Sequence, residues 1–253
     1  MDTRIKLFYL LFVLYTVKAQ TDYCKLSCGN TLQTVCERKN VSCGAASDCK
    51  NFKQLGLSDA DRRYVLDLHN KYRNRVALGQ EKTGPQPQAS NMRALSYSKE
   101  LEYIAQCHTN SCKYAHDKCR KTPEWGWVGQ NIAIRKRNKG DILPTQEFLN
   151  WAMDSFYKEV KDFNPSWVSS FDQHGKAVGH YTAIVWARTR YVGCGITFFV
   201  DGEGWDAYYI ACNYGEGGNV NTLPVYEQGT PASKCDGLPK NSKYPGLCGP
   251  DNV

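Results

Sequence analysis

The chain is poor in membrane-length apolar runs. Its one sustained apolar stretch is residues 7–17, eleven residues long. A bilayer-spanning helix needs about 20. Arg4 and Lys6 precede the stretch, and Val17 and Ala19 follow in the small-residue positions of a cleavage site. Residues 1–19 therefore read as an export signal, cut between Ala19 and Gln20, and not as an anchor. No nucleic-acid-binding motif is present, so nucleic acid is not an expected partner. Cys24 and Cys28 form a C-x3-C pair, but no second pair of Cys or His follows at zinc-finger spacing. There are no internal repeats and no regular βαβ alternation. Charge is only mildly one-sided. The first 19 residues carry Arg4, Lys6 and Lys18 against Asp2, so cleavage leaves +5 of the formal +7. That permits attraction to anionic cell surfaces without requiring it. The densest basic run is Arg135, Lys136, Arg137 and Lys139.

What the chain does have is cysteine. All 12 lie after the expected cut. An even count in an exported chain implies a disulfide framework of up to six bridges. Asn40-Val41-Ser42 is a glycosylation acceptor, whereas Asn164-Pro165-Ser166 is excluded by its proline.

The chain divides into residues 1–19, a cysteine-rich extension over 20–57, a main domain over 58–226, and a tail over 227–253 with its own small disulfide loop. Ser58 and Asp61 form a capping box. Val65, Leu68, Tyr72 and Val76 then share a helical face, with Gly79 as the stop. Residues 80–91 read as a loop. A second helix starts near Ser98, with Leu101, Ile104 and Ala105 inward. A third, capped by Thr145, runs to about Phe163, and Trp151, Ala152, Ser155, Phe156 and Phe163 share its buried face. Glu159 sits among them. A carboxylate there must be paired or hydrogen-bonded, for structure or for function. Residues 178–187 read as a buried strand. Residues 194–200 and 207–213 read as two more strands, joined by a turn at 201–204. Folding that hairpin sets Cys194 opposite Cys212. Cys235 and Cys248 close a loop on each other. The expected class is α+β, an α-β-α sandwich in which helices cover an antiparallel sheet.

The histidines are His69, His108, His116, His174 and His180. His69 shares the face of Val65, Tyr72 and Val76, so it is expected to pack and hydrogen-bond inside. His108 and His174 have no partners legible in the sequence. His180 lies in a dense string, Gly179-His180-Tyr181-Thr182-Ala183-Ile184-Val185-Trp186. This string resembles a signature of the superfamily of cysteine-rich secretory proteins, antigen 5 and pathogenesis-related 1 proteins. Ala211-Cys212-Asn213-Tyr214-Gly215 resembles its second signature. His69-Asn70-x-x-Arg73, Gly129-Gln130-Asn131-Ile132 and Tyr114-x-His116-Asp117-x-x-Cys119 occur in the family's order. The resemblance covers roughly residues 22–226. Tyr23-Cys24-Lys25-x-x-Cys28 with Cys36 and Cys43 is similar to insect antigen 5 of venom and saliva, a group of allergens. The Cys235–Cys248 tail is closer to salivary members from blood-feeding insects.

The resemblance implies bridges Cys24–Cys36, Cys28–Cys119, Cys43–Cys112 and Cys194–Cys212, which leaves Cys49 with Cys107. It also implies a cleft lined by two histidines and two acids. The histidines fall on His116 and His180, and one acid falls on Glu159. The other acid position holds Gln130, which removes a charge and a possible base. Trp125 and Trp127 flank Gly126 just before this motif and are expected to wall the cleft.

Two imidazoles with Gln130 in place of an acid suit copper or zinc better than calcium or magnesium. Bound copper would permit superoxide scavenging. The alternative is a hydrogen-bonded network that only orders the core. Hydrolysis would need a nucleophile beside a histidine. Ser155 has no tie to either one, and the cysteines are expected in bridges. The resemblance also allows a bound lipid, and action on host blood or cell-surface components in haemostasis or inflammation, including inhibition of platelet aggregation. Lys139-Gly140-Asp141 offers a cation and a carboxylate at the spacing of an integrin ligand. The chain is expected to act as a monomer.

Overall fold

The computed structural model describes residues 21–47, 49–172 and 175–253. The expected signal, its cleavage site and His174 lie outside these residues. Five helices and five strands are named here. The helices are α1 (Thr34–Glu37), α2 (Asp59–Ala77), α3 (Lys99–Thr109), α4 (Thr145–Tyr157) and α5 (Gly179–Val185). The strands are β1 (Lys50–Gln54), β2 (Ser96–Tyr97), β3 (Gly129–Arg137), β4 (Tyr191–Val200) and β5 (Asp206–Gly215).

The sheet has the order β1-β4-β5-β3 with all neighbours antiparallel, and β2 adds a short parallel pairing to β4. Period-two alternation decides what each face meets. Val192, Cys194, Ile196 and Phe198 point into the large core with residues of α2, α4 and α5. Phe199, Ala207, Tyr209, Ala211 and Ile132 face the other way, onto α3. The fold is therefore the expected α-β-α sandwich. Gly193 and Gly195 let α3 lie directly on β4. A Cβ at either position would come within 2.3 Å of α3 backbone nitrogen, of Glu102 and Gln106 respectively.

Helix α2 forms as its sequence predicts, with the Ser58–Asp61 capping box made in both directions. Gly79 follows at φ +66°, a conformation glycine adopts without strain. Three local readings are corrected. Pro144, not Thr145, occupies the N-cap of α4, and Thr145 is the first helical residue. That helix stops at Tyr157 and tightens into a 3-10 turn over Lys158–Asp162, which carries Glu159. Residues 178–187 are not a strand. Gly179–Val185 form α5. A short apolar run fits either element, and tertiary contacts decide between them. Here Glu159 supplies acceptors to the first turn of α5.

All twelve cysteines are paired. Two pairings differ from those the resemblance implied. Cys43 joins Cys107 at a Cα separation of 4.6 Å, and Cys49 joins Cys112 at 5.8 Å. The segment after α1 runs along the C-terminal end of α3. Its first cysteine meets the helix's buried last turn, and its second meets the residues just beyond. The extension is thus stapled to the main domain, and β1 gives that domain an edge strand. The tail is also integral. Tyr244, Leu247 and Cys248 are buried. Asn252 exchanges hydrogen bonds with Ser96 and Tyr97.

Candidate two-histidine cleft

Each cleft histidine is oriented by a partner at Nδ1. His180 begins the first turn of α5, where backbone N–H groups lack helical acceptors. Glu159 fills that gap. Its Oε2 accepts from the His180 and Tyr181 amides at 2.8 and 3.1 Å. Its Oε1 lies 2.7 Å from His180 Nδ1. With the carboxylate accepting, Nδ1 is the donor, and in the neutral ring Nε2 is the nitrogen with the lone pair. The ring also stacks on Phe156, with centroids 4.8 Å apart.

His116 is exposed, in the loop after α3. Its Nδ1 lies 2.7 Å from Gln130 Oε1 on β3. The amide cannot be reversed, because Gln130 Nε2 donates to Asp117 Oδ1 at 3.0 Å and to Asn213 Oδ1 at 3.1 Å. The oxygen therefore accepts from His116 Nδ1, and in the neutral ring Nε2 is again the nitrogen with the lone pair. Asp117 is held by Arg120 and by the Thr34 hydroxyl. Burial would raise its pKa, but the charge of Arg120 and these hydrogen bonds outweigh it and keep the carboxyl below its ordinary value.

Neighbouring residues of β3 tie the two sides together. Gln130 holds His116, while Asn131 Nδ2 donates to the His180 carbonyl at 2.9 Å. A cavity of about 280 Å³ lies here, lined by His116, Gln130, Trp127, Asn219 and Ala183. His180 and Glu159 are not among its lining residues; His180 stands one turn before Ala183 on α5. Among the described residues, no group of three or more His, Cys, Asp or Glu side chains is arranged to hold a metal.

The model of the cysteine-rich secretory protein family, CAP, matches residues 66–214. The chain belongs to this family. Its relatives place this CAP protein in the antigen 5 branch. It is 42% identical over 217 residues to a venom allergen 3 homolog of Dinoponera quadriceps, covering 82% of this chain and 90% of that one. It is 37% identical to venom allergen 5.02 of Dolichovespula maculata, covering 82% and 94%. The crystal structure of NaASP2 with Zn2+ superposes with a TM-score of 0.64 at 27% identity, covering 79% of this chain and 99% of that one.

Below the cleft, the CAP core carries a polar network whose residues appear in the sequence motifs but whose roles the sequence does not give. Fully buried Arg73 donates to five backbone carbonyls: Arg93 at 2.8 Å, Ile184 at 2.7 Å, Trp186 at 2.8 Å, Ala187 at 3.3 Å and Thr189 at 3.4 Å. Burial pulls its pKa down to about 9, which leaves it charged at neutral pH. His69 packs inside as expected. Its Nδ1 donates to Val65 O at 2.7 Å, and its Nε2 accepts from the Tyr214 hydroxyl at 3.0 Å. That hydroxyl in turn accepts from Asn131. Burial pushes the His69 pKa down to about 4. His108 lies against the Ala115 carbonyl and the Tyr209 hydroxyl, both at 2.8 Å, and so fixes the residue before His116.

Trp127 lines the cleft as expected, but Trp125 does not. It is buried against Tyr191. Ser155 donates to the Ala152 carbonyl, away from either histidine. The basic run is largely paired, Lys136 with Asp201 and Arg135 with Glu147. Lys139, Gly140 and Asp141 are exposed past the end of β3, and the Gly140 amide is pinned to Asp206 at 3.1 Å.

Proposed function

We propose that this CAP protein is an exported effector of the venom or salivary kind whose cleft takes up one zinc or copper ion through Nε2 of His116 and Nε2 of His180. The supporting observation is that each imidazole has its Nδ1 engaged by a fixed oxygen, so that Nε2 is the nitrogen each neutral ring would offer to an ion. A second partner that orients a ligand histidine in this way is the usual arrangement around a bound metal. The donor set is two nitrogens with no free carboxylate, because Glu159 already serves His180 and the α5 amides. That fits zinc or copper and leaves the remaining positions to water. NaASP2, solved with Zn2+, makes zinc the first ion to test.

Copper held there would supply one-electron chemistry, in which one superoxide is oxidised to dioxygen and a second, with two protons, is reduced to hydrogen peroxide. The chain's own part is to hold the ion in an open cleft of a mildly basic protein that an anion can reach. The test strips metal, adds copper back, and compares superoxide consumption by wild type and by the His116→Ala, His180→Ala double variant. Equal rates end this reading.

A second reading is favoured by the exposed Lys139-Gly140-Asp141 loop, whose backbone is pinned while both charged side chains face solvent. It would bind an integrin-type receptor on host cells. Asp141→Ala should abolish inhibition of platelet adhesion and leave metal uptake unchanged. Unaltered inhibition would remove this reading.

A further inference from the structure

We propose that Trp127 is the stacking platform for an acidic saccharide that lies across the rim of the cleft and a neighbouring basic pocket. Its side chain is 57% exposed, yet it is not loose. The indole Nε1 donates to Gly218 O at 3.0 Å. The Gly217 amide donates to the Trp127 carbonyl, also at 3.0 Å. Gly217 lies so close that a Cβ there would come within 2.6 Å of the ring. A large apolar face held rigid in water has no role in the core, and rigid aromatics of this kind anchor ligands.

Two pockets flank the indole, and both are lined by Trp127 and Arg120. The first, about 130 Å³, has Lys118, Arg120 and Lys121 as its charged lining and no acid. Arg120 is committed to Asp117 and the Val128 carbonyl. Lys121 Nζ rests on a neutral acceptor, the Ser27 carbonyl, at 2.7 Å. Neither Lys118 nor Lys121 forms an ion pair among the described residues. This volume suits one sulfate or carboxylate group. The second, about 280 Å³, is the cleft cavity itself, where Gln130 and Asn219 offer neutral donors and acceptors beside His116, at a size that suits one sugar ring. A ligand spanning both needs one face to stack, hydroxyls to hydrogen-bond, and a negative substituent. That is a sulfated or uronic sugar. A nucleotide base would gain from a second ring opposite the indole. The nearby exposed Tyr114 is instead packed edge-on against Tyr209, with centroids 5.6 Å apart.

The test is calorimetry of the full mature chain in chelator-containing buffer, so that the outcome does not depend on metal. The probes are a heparin-derived hexasaccharide, neutral maltohexaose, inorganic sulfate and ADP. The proposal expects the hexasaccharide alone to bind well, and to bind less well as salt is raised. Trp127→Ala, and separately Lys118→Ala with Lys121→Ala, should each weaken that binding at least about tenfold while thermal melting stays near wild type. If Trp127→Ala melts early, the lysine pair decides. Hexasaccharide binding unchanged in the lysine variant or in a well-folded Trp127→Ala overturns the proposal. So does equal binding of maltohexaose, of inorganic sulfate or of ADP.

Discussion

The two sides of the cleft are built in opposite ways. His180 belongs to the interior. Its helix is capped by Glu159, and its carbonyl is tied to Asn131. The chain just beyond it is gathered by a buried guanidinium that holds five carbonyls. His116 belongs to the surface. Its loop is held by the Cys28–Cys119 and Cys49–Cys112 bridges and by a side-chain chain through Gln130 and Asp117. One histidine is thus positioned by folding free energy and the other by covalent staples. Substitutions below His180 should therefore cost stability, and substitutions around His116 should mainly cost binding.

The largest expected effect is on the interior side. Arg73→Ala leaves five carbonyls to be satisfied by water that cannot easily reach them. It should cost about 3–5 kcal/mol, read by chemical denaturation. His116→Ala should cost within about 0.5 kcal/mol in the same experiment. Similar values for the two would break the comparison.

Next comes a pH effect seated in the same network. His69 is neutral when folded, with a pKa of about 4 against 6.5 for the free group. Between those values the unfolded chain binds a proton that the folded chain does not. Stability should be flat in this respect above pH 6.5 and should fall as pH drops toward 4, by about 3 kcal/mol in all. His69→Gln should remove most of that slope, measured by denaturation at pH 7, 5.5 and 4.5.

The sequence carried much of this in uneven fashion. The capping box, the hairpin with its Cys194–Cys212 bridge and the apolar face of α2 were legible because their periods and caps are local. Strand β3 went unassigned, although Ile132 and Ile134 alternate there. Residues 178–187 misled because a short apolar run has no period of its own, and the carboxylate that accepts from its first turn lies 21 residues before His180. The Cys43 and Cys49 pairings depend on how one segment lies against the end of α3, which spacing cannot encode. The cleft residues His116, Gln130, Glu159 and His180 came from motif resemblance. The work of Arg73, Asn131 and Asp117 emerged only once their partners were seen.

A smaller effect is expected where the two sides meet the ligand atoms. Glu159→Ala strips acceptors from two α5 amides and should cost about 1–3 kcal/mol. It should also lower metal affinity 10- to 100-fold, because His180 loses its orienting partner. Glu159→Gln should recover part of the stability. A cost of about 1 kcal/mol is expected at Gln130→Glu, which turns a donor to Asp117 into a second carboxylate. The substitution should strengthen metal binding by making His116 more basic.

The most direct test is calorimetric titration of zinc and of copper into the stripped protein, beside His116→Ala and His180→Ala. The expected result is one ion per wild-type chain and a large loss of affinity in each single variant, since either imidazole alone is a poor site. Uptake that survives removal of either histidine would show that the two rings do not share an ion.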